Sequence, residues 1–186
     1  MEDLDLRVQK TYKALIETFN HLLQEKEFDK ISVTEICDMA MIRRPTFYKH
    51  FIDKYDFISY FIKYKMNEIF DCAINKSNER EDNFFIIVFE QLLDYFDNFL
   101  HLIFNIQNNA NIIFELENVR DYGKRMLSNY ISKNDSSKNL TPQISYKMQI
   151  IMSITIQSVF WYKENKNHIS RDEATELYKK TLARLR

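Results

Sequence analysis

Ser32-Val33-Thr34-Glu35-Ile36-Cys37-Asp38-Met39-Ala40-Met41-Ile42-Arg43-Arg44-Pro45-Thr46-Phe47-Tyr48-Lys49-His50-Phe51-Ile52-Asp53-Lys54 is the stretch on which the fold turns. Ser32 with Glu35 three positions on is a capping box, in which each side chain satisfies a backbone N–H at a helix start, so a helix begins near Val33. Ile36, Met39 and Ala40 recur at helical spacing and place one apolar stripe inward, and the helix ends near Met41. Pro45 fits only the first turn of a helix, where its missing N–H costs nothing, so a second helix starts at about Arg43 or Arg44. The stretch therefore reads as two short helices joined by a tight turn.

On the second helix Phe47 and Phe51 are four residues apart and share the face that packs on a core. At about 100° per residue, Pro45, Thr46 and Lys49 project to the opposite side while Tyr48 and His50 point to the flanks. Groups on the outward side can reach base edges, and those on the flanks can reach phosphates. Charge is distributed to match. The whole chain is formally −1, yet residues 42–66 carry six basic side chains against Asp53 and Asp56. A basic patch on a near-neutral chain suits a selective binder that needs good contacts rather than a general coat on a polyanion.

These residues resemble the TetR family of bacterial transcription regulators. The family's usual run of Thr/Ser, Ile-Ala, Ala-Gly-Val-Ser, Thr-(Phe/Leu)-Tyr, Phe and Lys reads here as Thr34, Ile36-Cys37, Ala40-Met41-Ile42-Arg43, Thr46-Phe47-Tyr48, Phe51 and Lys54, a likeness that extends over residues 8–60. Two positions depart from it. Met41 replaces the turn glycine, whose backbone often needs a positive φ that is costly for a residue with a β-carbon. Arg43 replaces a small capping hydroxyl, so the second helix must find another partner for its first N–H groups.

The resemblance implies a homodimeric repressor that places helix 44–51 of each subunit in the major groove of one half-site of a palindromic operator. The acidic start of the chain and the charges within its most apolar segment make a cytoplasmic chain the expectation. Thr34, Arg43, Arg44, Pro45, Thr46, Tyr48, Lys49, His50 and Lys54 would form the DNA-binding set. Within it Tyr48 and Lys54 would hold phosphates, Thr46 and Lys49 would meet bases or nearby phosphates, and Arg43 and Arg44 would grip the backbone or a groove edge. A small molecule entering the body would shift the connecting helix from Lys54 onward and change the separation of the two reading helices.

Composition is consistent with an all-α chain. Of 186 residues 45% are apolar, enough to bury a sizeable core, while one glycine and two prolines leave little vocabulary for hairpins. About nine helices are expected. They comprise a three-helix helix-turn-helix head over residues 1–53, a connecting helix over 54–75 that Asp53 can cap, and a helical regulatory and dimerisation body over 76–186. The head's first helix carries Val8, Tyr12, Leu15, Phe19 and Leu22 as its inward stripe. Thr141-Pro142 starts a later helix, and Ser170 with Glu173 forms a second capping box at the start of the last one.

The helix over about 142–164 is apolar nearly all round, and a helix buried on two sides needs a second surface. Either other helices of a monomeric bundle or a second copy can supply it, and the resemblance implies the second copy, with Met148, Ile151, Met152, Thr155, Val159 and Leu177 at the dimer interface. The aromatic run over 84–104 can line a cavity for an apolar effector, with Phe89, Phe96, Phe104 and Trp161 as walls and His101 as a polar handle, or it can be simply a packed core with a satisfied histidine.

Several classes are disfavoured. The opening Met1-Glu2-Asp3-Leu4-Asp5 lacks the positive charge of a signal peptide. The most apolar long segment holds Glu90, Asp94 and Asp97, each costing roughly 3 kcal/mol at a bilayer centre. No phosphate-binding glycine loop, nucleophile elbow or histidine pair at metal-ligand spacing occurs, so neither an enzyme nor a cofactor is expected. Cys37 and Cys72 read as inert thiols of a reducing compartment. A dimeric DNA-binding adaptor acting through a protein partner, with no small-molecule effector, is the alternative from another functional class.

Overall fold

The structure is a computed structural model and describes residues 6–77, 81–95, 121–130 and 141–185. Every regular element among them is helical: α1 (Leu6–Glu25), a 3-10 turn (Phe28–Lys30), α2 (Val33–Met39), α3 (Arg44–His50), α4 (Lys54–Lys76), α5 (Glu81–Tyr95), α6 (Pro142–Asn165) and α7 (Arg171–Ala183). Residues 121–130 are helical as well. The all-α expectation holds, and α2, α4, α6 and α7 start where Ser32, Asp53, Thr141-Pro142 and Ser170 had placed them.

The described residues divide into two compact units, and the division falls inside α4, between Ile62 and Lys63. In the head, α1 contributes Leu15, Ile16, Phe19 and Leu22, α2 Ile36 and Cys37, α3 Phe47, and α4 Phe57, Ile58 and Phe61 to one apolar core. Phe19 is its centre, set edge-on to the rings of Phe28, Phe57 and Phe61 at 6.2, 5.2 and 4.9 Å. Edge-to-face pairs at these separations add to the gain from area alone and tie α1 to the 3-10 turn and to α4. Asp53 Oδ1 accepts the N–H groups of Tyr55 and Asp56 at 2.8 and 2.9 Å and so caps α4.

In the body α5 packs on α6 and α7, which also pack on each other. Phe84, Phe85, Val88, Phe89 and Leu92 form the inner face of α5, with Phe89 stacked on Tyr178 at 4.4 Å and Phe84 on Tyr130 at 4.1 Å. The capping box at α7 is complete, Ser170 Oγ accepting from Glu173 N–H while Glu173 accepts from Ser170 N–H. Arg171 then reaches across to the Asp94 carboxylate and the Glu90 carbonyl of α5. Gly123 lies within the helical residues 121–130, and a β-carbon there would come within 2.8 Å of the flexible end of the Met66 side chain.

Candidate nucleic-acid interface

The turn between α2 and α3 is built from backbone hydrogen bonds. Ser32 Oγ accepts from Glu35 N–H at 3.2 Å, as expected, but only half of that capping box forms. The Glu35 carboxylate is taken by Lys26 instead, a charge-assisted bond that holds its carboxyl below the usual range. At the far end of α2 the N–H of Met41 donates to Asp38 O at 3.2 Å and that of Ile42 to Cys37 O at 2.9 Å. This pair of bonds is a Schellman motif and requires a left-handed residue, which is Met41 with φ 55°. Arg43 caps α3 in an extended conformation with no side-chain bond to the helix, the consequence of a guanidinium where a hydroxyl would serve.

Phe47 is fully buried, which settles how α3 faces. Arg43, Arg44, Pro45, Tyr48 and Lys49 are exposed, as is Thr34 on α2, while Thr46 is half-buried. The chain thus gathers two guanidiniums, an ammonium, a phenol and a proline ring on one short outward helix and its cap.

Two members of the expected set turn inward. His50 is half-buried, its ring 5.2 Å from that of Tyr12 on α1. Lys54 Nζ donates toward the carbonyls of Phe28, Asp29 and Ile31 at 3.4, 3.3 and 3.2 Å and lies 4.6 Å above the Phe28 ring. It closes the open carbonyl end of the 3-10 turn, an arrangement that links residues 23 or more positions apart and leaves no trace in local spacing. Tyr12, read from sequence only as part of the α1 stripe, also stacks on Tyr60 of α4 at 4.8 Å. Burial, and secondarily Asp56, pushes its phenol up. Cys37 is fully buried, and burial pushes its thiol up as well, which makes the reactive thiolate scarcer.

In the body, α6 turns most of the residues expected at a dimer interface inward. Met148, Ile151, Thr155 and Val159, expected at a dimer interface, are buried within the chain's own body, and Met152 is half-buried. The helix is apolar on both sides, so its sequence gave no sign of which side faces in. Among the described residues, the exposed large apolar groups of α6 and α7 are Tyr146, Ile150, Ile156, Trp161 and Leu177. Trp161 and Leu177 border a groove of about 490 Å³ between α6 and α7, floored by Ile154, Ala174 and Tyr178. Phe89 is fully buried and stacked on Tyr178. Phe96, His101 and Phe104 lie outside the described residues.

No family model matches the chain. In sequence it is 29% identical over 105 residues to the transposon Tn10 TetC protein of Escherichia coli, a match covering 55% of this chain and 48% of that protein. The chain therefore spans about half the length of the curated relative it matches. In structure it aligns with the transcriptional regulator FadR from Bacillus subtilis in complex with stearoyl-CoA, with a TM-score of 0.65 and 16% identity over 94% of this chain and 97% of that one. A TetR-family transcriptional regulator from Streptomyces coelicolor aligns with a TM-score of 0.65 and 12% identity, over 95% and 99% of the two chains. Over nearly its whole length the chain thus shares the fold of these transcriptional regulators, the TetR-family member among them.

Proposed function

We propose that this chain is a DNA-binding transcriptional regulator, a repressor that grips a palindromic operator as a homodimer and releases it on taking up an apolar small molecule. The observation that carries the reading is the setting of α3, with Phe47 sealed in the core and Arg44, Pro45, Tyr48 and Lys49 outward. A short helix anchored by one aromatic and presenting basic and hydroxyl groups suits insertion into a major groove, the flanking cations meeting phosphates. Two such helices on a two-fold axis would read two half-sites. The groove between α6 and α7, with Trp161 and Leu177 exposed at its rim, is the surface a second copy would cover. The aromatic inner faces of the body favour an apolar effector, and the FadR neighbour of similar fold is a complex with stearoyl-CoA.

Selection from a random duplex library with the full chain tests the reading. It should enrich an inverted repeat, and long-chain acyl-CoA or an aromatic apolar compound should weaken binding to it. Failure to enrich any sequence would sink the DNA-binding role. Enrichment with no response across such compounds would shift the regulatory part of the reading toward a protein partner.

A further inference from the structure

Met41 is the C′ residue of α2 and the only non-glycine residue with positive φ among the described residues, at 55°. Glycine takes that conformation freely, whereas a β-carbon takes it against a steric cost. A strained residue is normally held by what its side chain packs on. Here the side chain packs on nothing. It is 94% exposed, more than any other large apolar side chain described.

Its place in the chain gives it a use. Two residues on, Arg43 caps α3, and Arg44 and Pro45 form that helix's first turn. The N-terminal residues of a reading helix are the ones that meet base edges in the major groove. Met41 therefore stands at the groove end of α3, beside two guanidiniums suited to phosphate, and is itself neither charged nor a hydrogen-bond donor. Among the groups that base pairs present in that groove, the thymine C5-methyl is the apolar one. An unbranched thioether side chain adapts its shape to such a target. The two Schellman bonds fix the direction in which its β-carbon leaves the backbone, which lowers the ordering cost of a contact made there.

We propose that Met41 is a specificity-determining residue, held outward by the left-handed turn so that its side chain rests on a thymine methyl in each half-site. The proposal rests on the reading of α3 as the DNA-reading helix. It adds to that reading an apolar contact which the basic and hydroxyl groups of α3 do not supply.

The test starts from the duplex that the full chain selects from a random library. Each thymine is replaced in turn by uracil, which removes the methyl and nothing else. One thymine per half-site should cost the parent chain roughly three- to tenfold in affinity on replacement, the scale expected for one buried methyl or methylene group. Met41→Gly and Met41→Ala should both bind the all-thymine duplex more weakly by a similar factor. Both should also be indifferent to uracil at that thymine while keeping the parent's response at every other. Met41→Gly should melt at a higher temperature than Met41→Ala, which keeps the strained backbone, so an affinity loss shared by the two belongs to the missing side chain and not to the fold. If both variants keep the parent's full uracil profile, the Met41 contact is overturned and the α3 reading stands. If the parent selects no duplex at all, both are overturned.

Discussion

Tyr178 and Thr155 join α7 to α6 through hydroxyl groups 2.7 Å apart in the buried part of the body. Thr155 Oγ1 already donates to the Ile151 carbonyl at 2.8 Å, so the proton shared between the two hydroxyls comes from Tyr178. The pair is therefore asymmetric, and its two halves should cost different amounts. Tyr178→Phe keeps the stack on Phe89 and leaves Thr155 bonded to Ile151, so it should cost about 1 kcal/mol. Thr155→Val strands a phenolic O–H away from water and should cost about 1–3 kcal/mol. Chemical denaturation of both variants checks the order, and a larger loss from Tyr178→Phe would reverse the donor assignment.

The same bond should show in the pH dependence of stability. Burial pushes the Tyr178 phenol up to about 12. An acid whose pKa is higher folded than unfolded contributes stability that is fully present below about pH 10 and is lost as pH rises through about 12. Unfolding free energy should therefore fall across that interval by on the order of 2–3 kcal/mol more in the parent than in Tyr178→Phe. Denaturant midpoints measured from pH 9 upward for the two proteins check it, and parallel curves would show that the phenol titrates as if exposed.

Lys54 gives a third expectation. Its ammonium faces three carbonyls at the end of the 3-10 turn and the Phe28 ring, so Lys54→Met should lower the head's stability by about 1–3 kcal/mol. Thermal melting reads this directly. A variant that melts like the parent but binds DNA more weakly would return Lys54 to the phosphate-holding role that the family resemblance implies.

What was legible in the sequence is what local chemistry decides. Ser32, Pro45, Asp53 and Ser170 mark helix starts because a cap or a missing N–H acts within four residues, and Phe47 with Phe51 fixes the face of α3 by spacing alone. Glu35 was legible only in part, because Lys26, nine residues back, competes for its carboxylate. Lys54 and His50 stand in the expected DNA-binding set for the same reason, their partners within the chain lying on distant segments. On α6 spacing fails outright. With apolar residues on both sides, it is packing against distant segments such as α5 and α7 that decides that Val159 is buried and Trp161 is not.

On α3, Lys49→Ala and Tyr48→Ala should each weaken binding to the selected duplex by roughly 1–3 kcal/mol if the lost contact is a good base or charged phosphate contact. Both side chains are exposed, so the melting temperature should hardly move. Lys49→Ala should also flatten the dependence of log affinity on log salt if its partner is a phosphate, because one fewer counterion-releasing contact is made. Titrations at several salt concentrations check both effects. Parent-like binding by either variant would mean that α3 meets DNA with another face.

The exposed apolar groups of α6 and α7 predict assembly. Trp161 and Leu177 are 43% and 46% exposed at the rim of the groove, and Tyr146 and Ile150 continue the apolar surface along α6. Large apolar side chains clustered in this way, rather than scattered singly, mark an interaction surface. Light scattering at micromolar concentration should therefore give twice the 22.6 kDa chain mass. Leu177→Glu and Trp161→Glu should each shift the population toward the single chain, because a carboxylate buried between two copies has no cation to meet it there. Leu6→Glu, at a position 71% exposed in the head, should leave the mass unchanged and so controls for a general effect of added charge. If the parent scatters as one chain at that concentration, or if both groove variants remain dimeric, the second copy does not sit on this groove.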